Sequence, residues 1–432
     1  MIGAPVFRYV LTPGWAGDSL ARAAQAVPSL DLNFAVTKTV GPLVAFTRAS
    51  TATFIDSAGT LQTAAVDVPR FDHNPTTGES LGLLVEEQRT NLVQQSADIS
   101  NAYWVKTETT VTANAIAAPD GTTTAGKLIE STANSQHILN SAAITWVGNT
   151  QYTATFYAKA GERFNFDILF GTAGNWVNSE RVATFNLNTG TVLFPPNSPA
   201  IASIQAVGNN WYRCRVTATT TASPSASAVF IRMADDAGLT SYQGINGHGL
   251  YFWAAQLEAG AFPTSYIPTT TAAATRSADV ASITGANFSS WYRQDEGTIY
   301  GEYIITVATS DGTLTSFDDG TANNRWQQRF TSIGQRYRLQ SGGVSLVDDI
   351  STSAPLINAT NKVAHAIRAG DQRHAGNGLL NAIALIASPL PTVTQLQIAT
   401  GPGAGNAGRI TIRRLTYWPQ RLPNSTLQAI TQ

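Results

Sequence analysis

Cysteine and charged residues are scarce in this sequence. Cys214 is the only cysteine, so no disulfide can form within the chain, and stability must come from burial or oligomerisation. Charged residues make up 13% of the 432 residues, which is about half of the usual share. The net charge is −1, and Arg413-Arg414 is the densest basic spot. A nucleic-acid partner would require a basic patch, so the composition argues against one.

Long apolar runs are also missing. No window holds the about 18 consecutive apolar residues that a membrane-spanning helix requires. Residues 1–30 lack the basic start and apolar core of a secretory signal, so we expect none.

What the sequence does contain is alternation. Hydrophobic residues reach 43%, and the length predicts two or three domains. Period-two segments, which are typical of half-buried strands, are broken by turns rich in Gly and Asn, and we therefore predict an all-β protein. The clearest of these strands are Tyr152–Lys159, Trp211–Ala218, Gly297–Thr306, Lys362–Arg368 and Gly408–Pro419. The clearest turns are Asp56–Gly59, Asn74–Gly78, Asn186–Gly190 and Gly208–Asn210.

The stretch Leu81–Leu92 predicts a buried strand that carries a structural charge cluster, Glu86, Glu87 and Arg89. Glycosidases use paired carboxylates, but neighbours on a strand point to opposite faces, so Glu86 and Glu87 cannot flank one glycosidic bond. We expect them to pair with Arg89, Arg70 or Arg48 instead.

The domain prediction has four parts. Residues 1–29, with a short helix at Asp18–Ala26, form an attachment or oligomerisation segment, the alternative being a frayed terminus. Residues 30–96 form an arm of β-hairpins that should pack on a sandwich or on neighbouring chains. Residues 97–268 and 276–432 form two β-sandwich (jelly-roll) domains, joined by a linker at Thr269–Thr275.

Three segments, Phe46–Phe54, Val68–Asp72 and Gly82–Leu92, resemble a module of virion proteins from tailed phages, prophages and gene-transfer agents. Such proteins are described as head spikes or tail fibres. The resemblance implies a subunit of the virion surface, made in the host cytoplasm and released by lysis. It leaves head or tail location open.

Two further resemblances concern the sandwiches. Ala118–Thr122, Tyr157–Gly161 and Tyr251–Pro268 are similar to a jelly roll of the carbohydrate-binding-module type. Gly408–Pro419, followed by a short capped helix at Ser425, resembles the end of laminin-G-like (concanavalin-type) domains. We find no motif in Asp311–Ile350.

Signs of an enzyme or a metal centre are weak. The five histidines show no zinc spacing, and there is no nucleophile elbow or phosphate-binding loop, Gly401–Gly405 being interpreted as a plain loop. We therefore predict no enzyme and no cofactor. Asp318-Asp319 and Asp348-Asp349 are interpreted as solvated turns, with Ca²⁺ as the alternative because both sandwich families include members that bind it.

Tryptophan supplies the candidate glycan sites, because sugar rings stack on aromatic planes. In predicted loops, Trp176 lies beside Asn175 and Asn178, and Trp326 lies beside Asn324 and Arg325. The alternative for both indoles is core packing, which we expect for Trp211, Trp253 and Trp418 on strands.

Together these features predict a non-enzymatic head-spike or tail-fibre subunit that anchors to capsid or tail proteins. It would form a homo-oligomer, trimer or pentamer, and bind host-surface polysaccharide. The alternatives are a virion polysaccharide depolymerase (lyase or hydrolase) and a purely structural decoration protein. The sequence does not identify the host or the glycan.

Overall fold

The computed structural model describes Leu20 and residues 26–194, 200–306, 311–350, 354–381, 390–402 and 408–432. Strands account for 50% of the chain and helices for 6%, which confirms the predicted all-β class.

The chain folds into two compact units whose boundaries differ from the prediction. The inserted unit is Thr47–Asp279, and the split unit combines the chain up to Phe46 with Val280–Gln432. Residues 30–46 therefore do not belong with the hairpin arm. Long-range pairing explains the difference, since Asp31 accepts two hydrogen bonds from Arg414, at 2.8 and 2.9 Å.

The first strands precede the jelly roll in the chain. The elements are β1 (Leu30–Leu32), α1 (Phe34–Thr37), β2 (Ala45–Thr47), β3 (Ala52–Ile55), β4 (Leu61–Ala64), β5 (Arg70–His73), β6 (Ser80–Glu86) and β7 (Arg89–Asn91). Strands β3 and β4 form the predicted hairpin, in which Gly59 adopts a φ of 76° that suits glycine.

The central part of the inserted unit is a sandwich of two antiparallel sheets. Its strands are β8 (Val105–Thr107), β9 (Thr109–Ile116), β10 (Ala125–Glu130), β11 (Asn134–Ser135), β12 (Ile138–Asn140), β13 (Gln151–Ala160), β14 (Asn165–Phe170), β15 (Val182–Asn186), β16 (Thr191–Phe194), β17 (Ile201–Ala206), β18 (Trp211–Thr219), β19 (Val229–Ala234), β20 (Tyr242–Gln243) and β21 (Gly249–Ala259). One sheet has the order β17-β18-β13-β21-β10-β9, and the other has the order β16-β15-β14-β19-β12-β8.

Both faces of the first sheet are covered by apolar packing. On one face, Phe252 meets Phe166 of the opposite sheet at 5.0 Å between ring centroids, and Cys214 is fully buried beside them. On the other face, Leu61 of the β3–β4 hairpin packs with Trp211 and Trp253. The expectation that the hairpins pack on a sandwich is thus confirmed for this hairpin.

Residues 269–275 are not the free linker that the sequence predicted. Thr269 is buried and donates to the Val93 carbonyl oxygen at 2.8 Å. Strand β22 (Ala274–Arg276) then pairs with β7. The Thr- and Ala-rich composition suggested a linker, but the Thr269 hydroxyl instead satisfies a buried backbone carbonyl group.

The second sandwich lies in the split unit. Its later elements are β23 (Val280–Thr284), α2 (Gly285–Ser289), β24 (Glu296–Ile305), β25 (Gly312–Asp318), β26 (Arg325–Phe330), β27 (Gln335–Ser341), β28 (Val344–Ile350), β29 (Thr360–Arg368), β30 (Asp371–Gly376), β31 (Leu379–Asn381), β32 (Gln395–Ile398), β33 (Arg409–Trp418) and α3 (Asn424–Ile430). One sheet contains β31-β30-β29-β24-β33, with β1 beside β33. The other is seven-stranded, in the order β2-β23-β32-β25-β26-β27-β28.

The two sheets of this sandwich meet through aromatic side chains. Tyr303 of β24 stacks on Phe330 of β26 at 5.3 Å, and its hydroxyl donates to Gln335 Oε1 at 2.7 Å. Helix α3 covers the opposite side of the first sheet through Leu427. The helix begins at Asn424, after Pro423, without a side-chain cap, so the predicted cap at Ser425 is wrong.

The N-terminal helix predicted at Asp18–Ala26 falls outside the described residues except for Leu20 and Ala26. Leu20 is buried in the apolar cluster beneath α3. The end of the Gly401–Gly405 loop is likewise outside the described residues.

A buried histidine pair occupies the core of the split unit. His365 and His374 lie opposite each other on β29 and β30, and the Tyr337 ring lies 3.9 and 3.8 Å from the two imidazoles. Burial lowers the pKa of His374 to about 3, and burial with the neighbouring His374 lowers the pKa of His365 well below its ordinary value.

This pair predicts acid sensitivity. Because the folded-state pKa is below the unfolded value of about 6.5, the unfolded chain binds more protons, and stability falls as the pH drops below about 6.5. For His374 alone the loss at pH 5 is about 2 kcal/mol. Urea unfolding between pH 7.5 and 5 should show a smaller pH slope in His374→Gln than in the parent. His248→Gln in the inserted unit is the control, and an unchanged slope in His374→Gln would contradict this account.

Candidate functional site

The seven-stranded sheet turns a polar side away from the core of the sandwich. Strand β26 shows why, since Trp326 and Phe330 point into the core while Arg325, Gln327 and Arg329 alternate with them. The same alternation in the neighbouring strands extends this polar surface across the sheet.

Strand register arranges these side chains in three rows, which we call the polar face. The first row is Gln395, Asp318, Arg325 and Gln340; the second is Gln397, Ser316, Gln327, Arg338 and Asp348; and the third is Thr313, Arg329 and Arg336. Directly opposite residues on antiparallel strands have Cβ atoms about 5 Å apart, so each row is a continuous polar strip.

The polar face has a buried floor and a half-buried rim. Ser316, Asp318 and Gln327 are 0% exposed, and Arg329 and Arg325 are 2% and 3% exposed. Side chains of the rim, Arg336, Arg338, Gln340, Gln395 and Gln397, are partly accessible. A Cβ atom added to Gly401 would lie 2.5 Å from Ser316 Cβ, so the chain at Gly401 lies directly on the floor.

Asp318 is the hydrogen-bonding centre of the floor. Its carboxylate accepts from Gln395 Nε2 at 2.6 Å, from Ser316 Oγ at 2.7 Å and from the Gly320 amide at 2.9 Å. Ser316 in turn accepts from Gln327 Nε2 at 3.0 Å. These bonds fix the side chains before any ligand arrives, which lowers the entropic cost of binding.

The arginines of the polar face differ in their electrostatic surroundings. Asp348 holds Arg336 with two bonds of 2.6 and 2.7 Å, and this raises the pKa of Arg336. Burial, together with repulsion from Arg338 and Arg329, lowers the pKa of Arg325. The guanidinium groups are therefore crowded on this sheet, and only some have a close carboxylate.

The described residues contain no group of three or more His, Cys, Asp or Glu side chains placed to hold a metal ion. Asp319 accepts from Thr321 Oγ1 at 2.6 Å and from Asn324 Nδ2 at 2.8 Å, as in an ordinary polar turn. The prediction of solvated turns is wrong for Asp318, which is buried at the end of β25, and for Asp348-Asp349, which lies within β28. The Ca²⁺ alternative remains a prediction.

The stacking role expected for Trp176 is wrong in this structure. The indole is 1% exposed, stacks on Phe170 at 4.5 Å and donates to the Gly171 carbonyl oxygen at 2.8 Å. Asn175 is buried as well and donates to the Ser225 carbonyl oxygen at 2.7 Å. Asn178 is exposed in the same loop. The indole packs with aromatic residues of the core, although the loop sequence around it is polar.

The three residues of the second predicted glycan site, around Trp326, have different roles in the structure. The Trp326 ring points into the core and stacks on Phe317 at 3.9 Å, so it does not face the polar side of the sheet. Asn324 holds a turn by accepting from the Gly342 amide at 2.9 Å. Arg325 alone lies in the polar face. Core packing is confirmed for Trp211, Trp253 and Trp418.

Sequence reasoning missed the rest of the polar face, notably Gln327, Arg329 and Arg338. A signal was present, because arginine and glutamine alternate with aromatic residues in Arg325–Phe330 and again in Gln335–Leu339. Interpreted with a period of two, that pattern predicts a polar sheet surface backed by an aromatic core.

The charge cluster at Glu86 is a separate, structural feature of the inserted unit. Arg70 bridges Glu86, at 2.8 Å, and Asp279, and Asp279 also holds Arg48 at 3.1 Å. All four side chains are 0% exposed. Ser265 completes the shell by donating to Glu86 from its amide and hydroxyl, at 2.8 and 2.6 Å. Burial opposes the charge of Arg70, but the two carboxylates outweigh it and raise the pKa of Arg70.

Glu87 pairs with Arg89 instead, and both are partly exposed. The expected pairings with Arg70 and Arg89 are thus present, whereas Arg48 contacts Asp279. The adjacent glutamates, of which Glu86 ends β6 and Glu87 follows it, do face different surroundings, as predicted.

No helix among the described residues is both long and apolar enough to cross a membrane.

Comparison with known proteins gave no family and no curated relative: no family model matches, and no curated protein matches significantly. Among solved structures, the chain is similar to the Ruminococcus gnavus IT-sialidase CBM40, with 19% identity, 32% of this chain and 84% of that chain covered, and a TM-score of 0.28. It is also similar to a leech intramolecular trans-sialidase, with 20% identity, 34% and 24% coverage and a TM-score of 0.29. A SAP-like pentraxin from Limulus polyphemus shares 13% identity, with 32% and 70% coverage and a TM-score of 0.27.

The charge cluster generates a direct stability test on two adjacent residues. Glu86→Ala removes one of the two carboxylates that neutralise the buried Arg70 charge, so it should lower the free energy of unfolding by about 3–5 kcal/mol. Glu87→Ala, the matched control, should cost at most about 1 kcal/mol because its pair is partly exposed. Urea denaturation of both variants measures the difference. Equal losses would show that burial of the Glu86 network is not what distinguishes the two positions.

Proposed function

We propose that this chain is a glycan-binding subunit of a phage-type particle and that the glycan lies on the polar face. The observation that carries this proposal is the set of three cross-strand polar rows with a buried, pre-organised floor. Amide, hydroxyl and guanidinium groups at strand spacing are the donors and acceptors that match the vicinal hydroxyls of a sugar.

A sheet is a suitable platform for such recognition. The side chains of the polar face are anchored on five neighbouring strands, β32, β25, β26, β27 and β28, so their spacing is set by backbone register. Sites on rigid elements keep their geometry better than sites on loops. Each hydrogen bond contributes little in water, so a single site binds weakly, and presentation of many copies on one particle multiplies the avidity.

The chain binds without carrying out chemistry in this proposal. A glycosidase needs one carboxyl group held protonated and a second one free to act as base or nucleophile. On the polar face, Asp318 is surrounded by hydrogen-bond donors, and Asp348 is paired with Arg336. Burial alone would raise the pKa of Asp348, but the hydrogen bonds from Arg336 and the charges of the neighbouring arginines together lower it, which is the wrong direction for a general acid.

The binding role predicts the effect of two glutamine substitutions. Gln327→Ala and Gln397→Ala each remove hydrogen-bonding groups from the second row, so each should weaken binding to a recognised polysaccharide by about three- to tenfold. A panel of bacterial surface polysaccharides on an array, followed by calorimetry on the best ligand, provides the measurement.

Gln62→Ala is the matched control, because Gln62 is an exposed glutamine on the hairpin of the inserted unit. It should leave the affinity unchanged. Failure of the full chain to bind any polysaccharide of the panel, also when presented multivalently, would reject the glycan-binding role. A fall in polysaccharide chain length during the incubation would instead favour the depolymerase alternative.

The particle role rests on the motif resemblance of Phe46–Phe54, Val68–Asp72 and Gly82–Leu92. As a surface subunit, the protein would be made in the host cytoplasm, assemble as a homo-oligomer such as a trimer or pentamer, and attach to capsid or tail proteins.

Localisation tests this part separately. Particles that carry an affinity-tagged copy of the chain should bind gold-labelled antibody at one structural position in electron micrographs. Particles with the untagged chain are the control. Tagged chain that remains entirely in the soluble fraction after particle purification would contradict the virion role while leaving glycan binding open.

A further inference from the structure

The polar face carries more positive than negative charge. Its guanidinium groups belong to Arg325, Arg329, Arg336 and Arg338, and the carboxylates in contact with them or beside them belong to Asp311, Asp318 and Asp348. Four cations and three anions leave one net positive charge on a surface of a chain whose overall net charge is −1.

The carboxylates are already engaged. Asp318 is held by amide and hydroxyl donors, and Asp348 is held by the fork of Arg336. Asp311 is shared by Arg329 and by Arg336, the latter at 3.1 Å. One carboxylate oxygen of this set, Asp311 Oδ1, is buried without a hydrogen-bond partner, but it belongs to a carboxylate that already contacts Arg329 and Arg336.

Several arginine donors therefore lack a partner among the described residues. Arg329, whose side chain is 1% exposed, has no hydrogen-bond partner at Nε or Nη1. Arg325 and Arg338 lack one at Nε, and the Arg338 Nε atom is 3.6 Å from Asp348. Buried donors of a cation are costly when unpaired. An unpaired Nε also occurs at Arg70 beside Glu86, but among the described residues Arg329 is the arginine with two unpaired nitrogens.

Like charges on this face also repel one another. Burial and the neighbouring charges of Arg338 and Arg329 lower the pKa of Arg325, and burial with Arg336 and Arg338 lowers the pKa of Arg329 although Asp311 opposes it. An incoming anion would relieve this repulsion and satisfy the donors at the same time.

Register places two of these arginines around one acceptor. Arg338 is the direct cross-strand partner of Gln327, and Arg329 is the next residue on the same face of β26. Diagonal neighbours of this kind are about 7–8 Å apart at Cα, within reach of long side chains that converge on one small anion. Gln327 Oε1 has no partner among the described residues and is an acceptor for a hydroxyl beside that anion.

Building on the proposed function, we propose that the ligand is an acidic glycan whose sugar carboxylate binds Arg338 at the half-buried rim, with Arg329 and Gln327 beneath it. A planar carboxylate matches the two-pronged geometry of a guanidinium, and charge-assisted bonds of this type are stronger than bonds between neutral groups. Sulfate and phosphate esters share part of this chemistry, so the experiment has to separate them from carboxylates.

The test compares each acidic polysaccharide with its own carboxyl-reduced form. The full-length chain is titrated with a panel of uronic-acid and sialic-acid polymers, with the same polymers after reduction of carboxyl to alcohol, and with dextran sulfate and dextran. We expect at least one acidic polymer to bind roughly tenfold or more tightly than its reduced form. We also expect added salt to reduce this difference in affinity.

Substitutions test whether the two arginines cause the preference for the carboxylate polymer. Arg338→Gln should reduce binding of the acidic polymer to the level of its reduced form. Arg338→Lys, which keeps the charge but not the fork, should restore only part of the preference. Arg368→Gln is the matched control, because Arg368 is a more exposed arginine on β29 of the same unit. Arg329→Gln is a second variant of the same site. Circular dichroism checks that each variant is folded.

The outcomes distinguish this inference from the proposed function. Equal binding of acidic and reduced polymers would overturn the carboxylate inference and leave glycan binding intact. Binding of dextran sulfate without any of the carboxylate polymers would overturn it as well and assign the anion to a sulfate. Failure of every polymer to bind would reject both proposals together.

Discussion

The inserted unit depends on one buried electrostatic interaction, the chain of contacts from Arg48 through Asp279 and Arg70 to Glu86. These side chains come from the beginning and the end of the unit and have no exposure to water. Dehydrated charges are tolerated only when each finds an opposite charge and further hydrogen bonds. The network therefore holds together the points at which the chain enters and leaves the unit. The jelly roll lies between these points in the sequence.

The split unit follows a different principle, in which strand alternation alone separates core from surface. In β26 the odd side chains form the polar face and the even ones enter an aromatic core with Phe317 and Tyr303. A single strand thus positions polar groups on one side by burying rings on the other. The precision of the polar face comes from this packing, because stacked rings allow the strands little room to shift.

Local pattern was enough to predict the strands but not their partners. Strands such as β13 and β33 are apparent from period two, and Gly59 marks a turn by its conformational freedom. The pairing of β1 with β33 is set by contacts such as Asp31 with Arg414, which are 383 residues apart. No window of sequence contains that information. For the same reason the polar sequence around Trp176 did not show that its indole lies in the core. Arg325 was identified from the sequence, but its cross-strand neighbours in the polar face were not.

The burial of Cys214 has a practical consequence. Complete burial raises the pKa of this thiol well above its ordinary value, so it is chemically inert in the folded chain. The natural protein thus presents no reactive sulfur on its described surface, and a cysteine introduced at any accessible position would be the sole target of a maleimide dye. Fluorophores or heavy-atom tags can be attached at chosen points without first removing a native thiol.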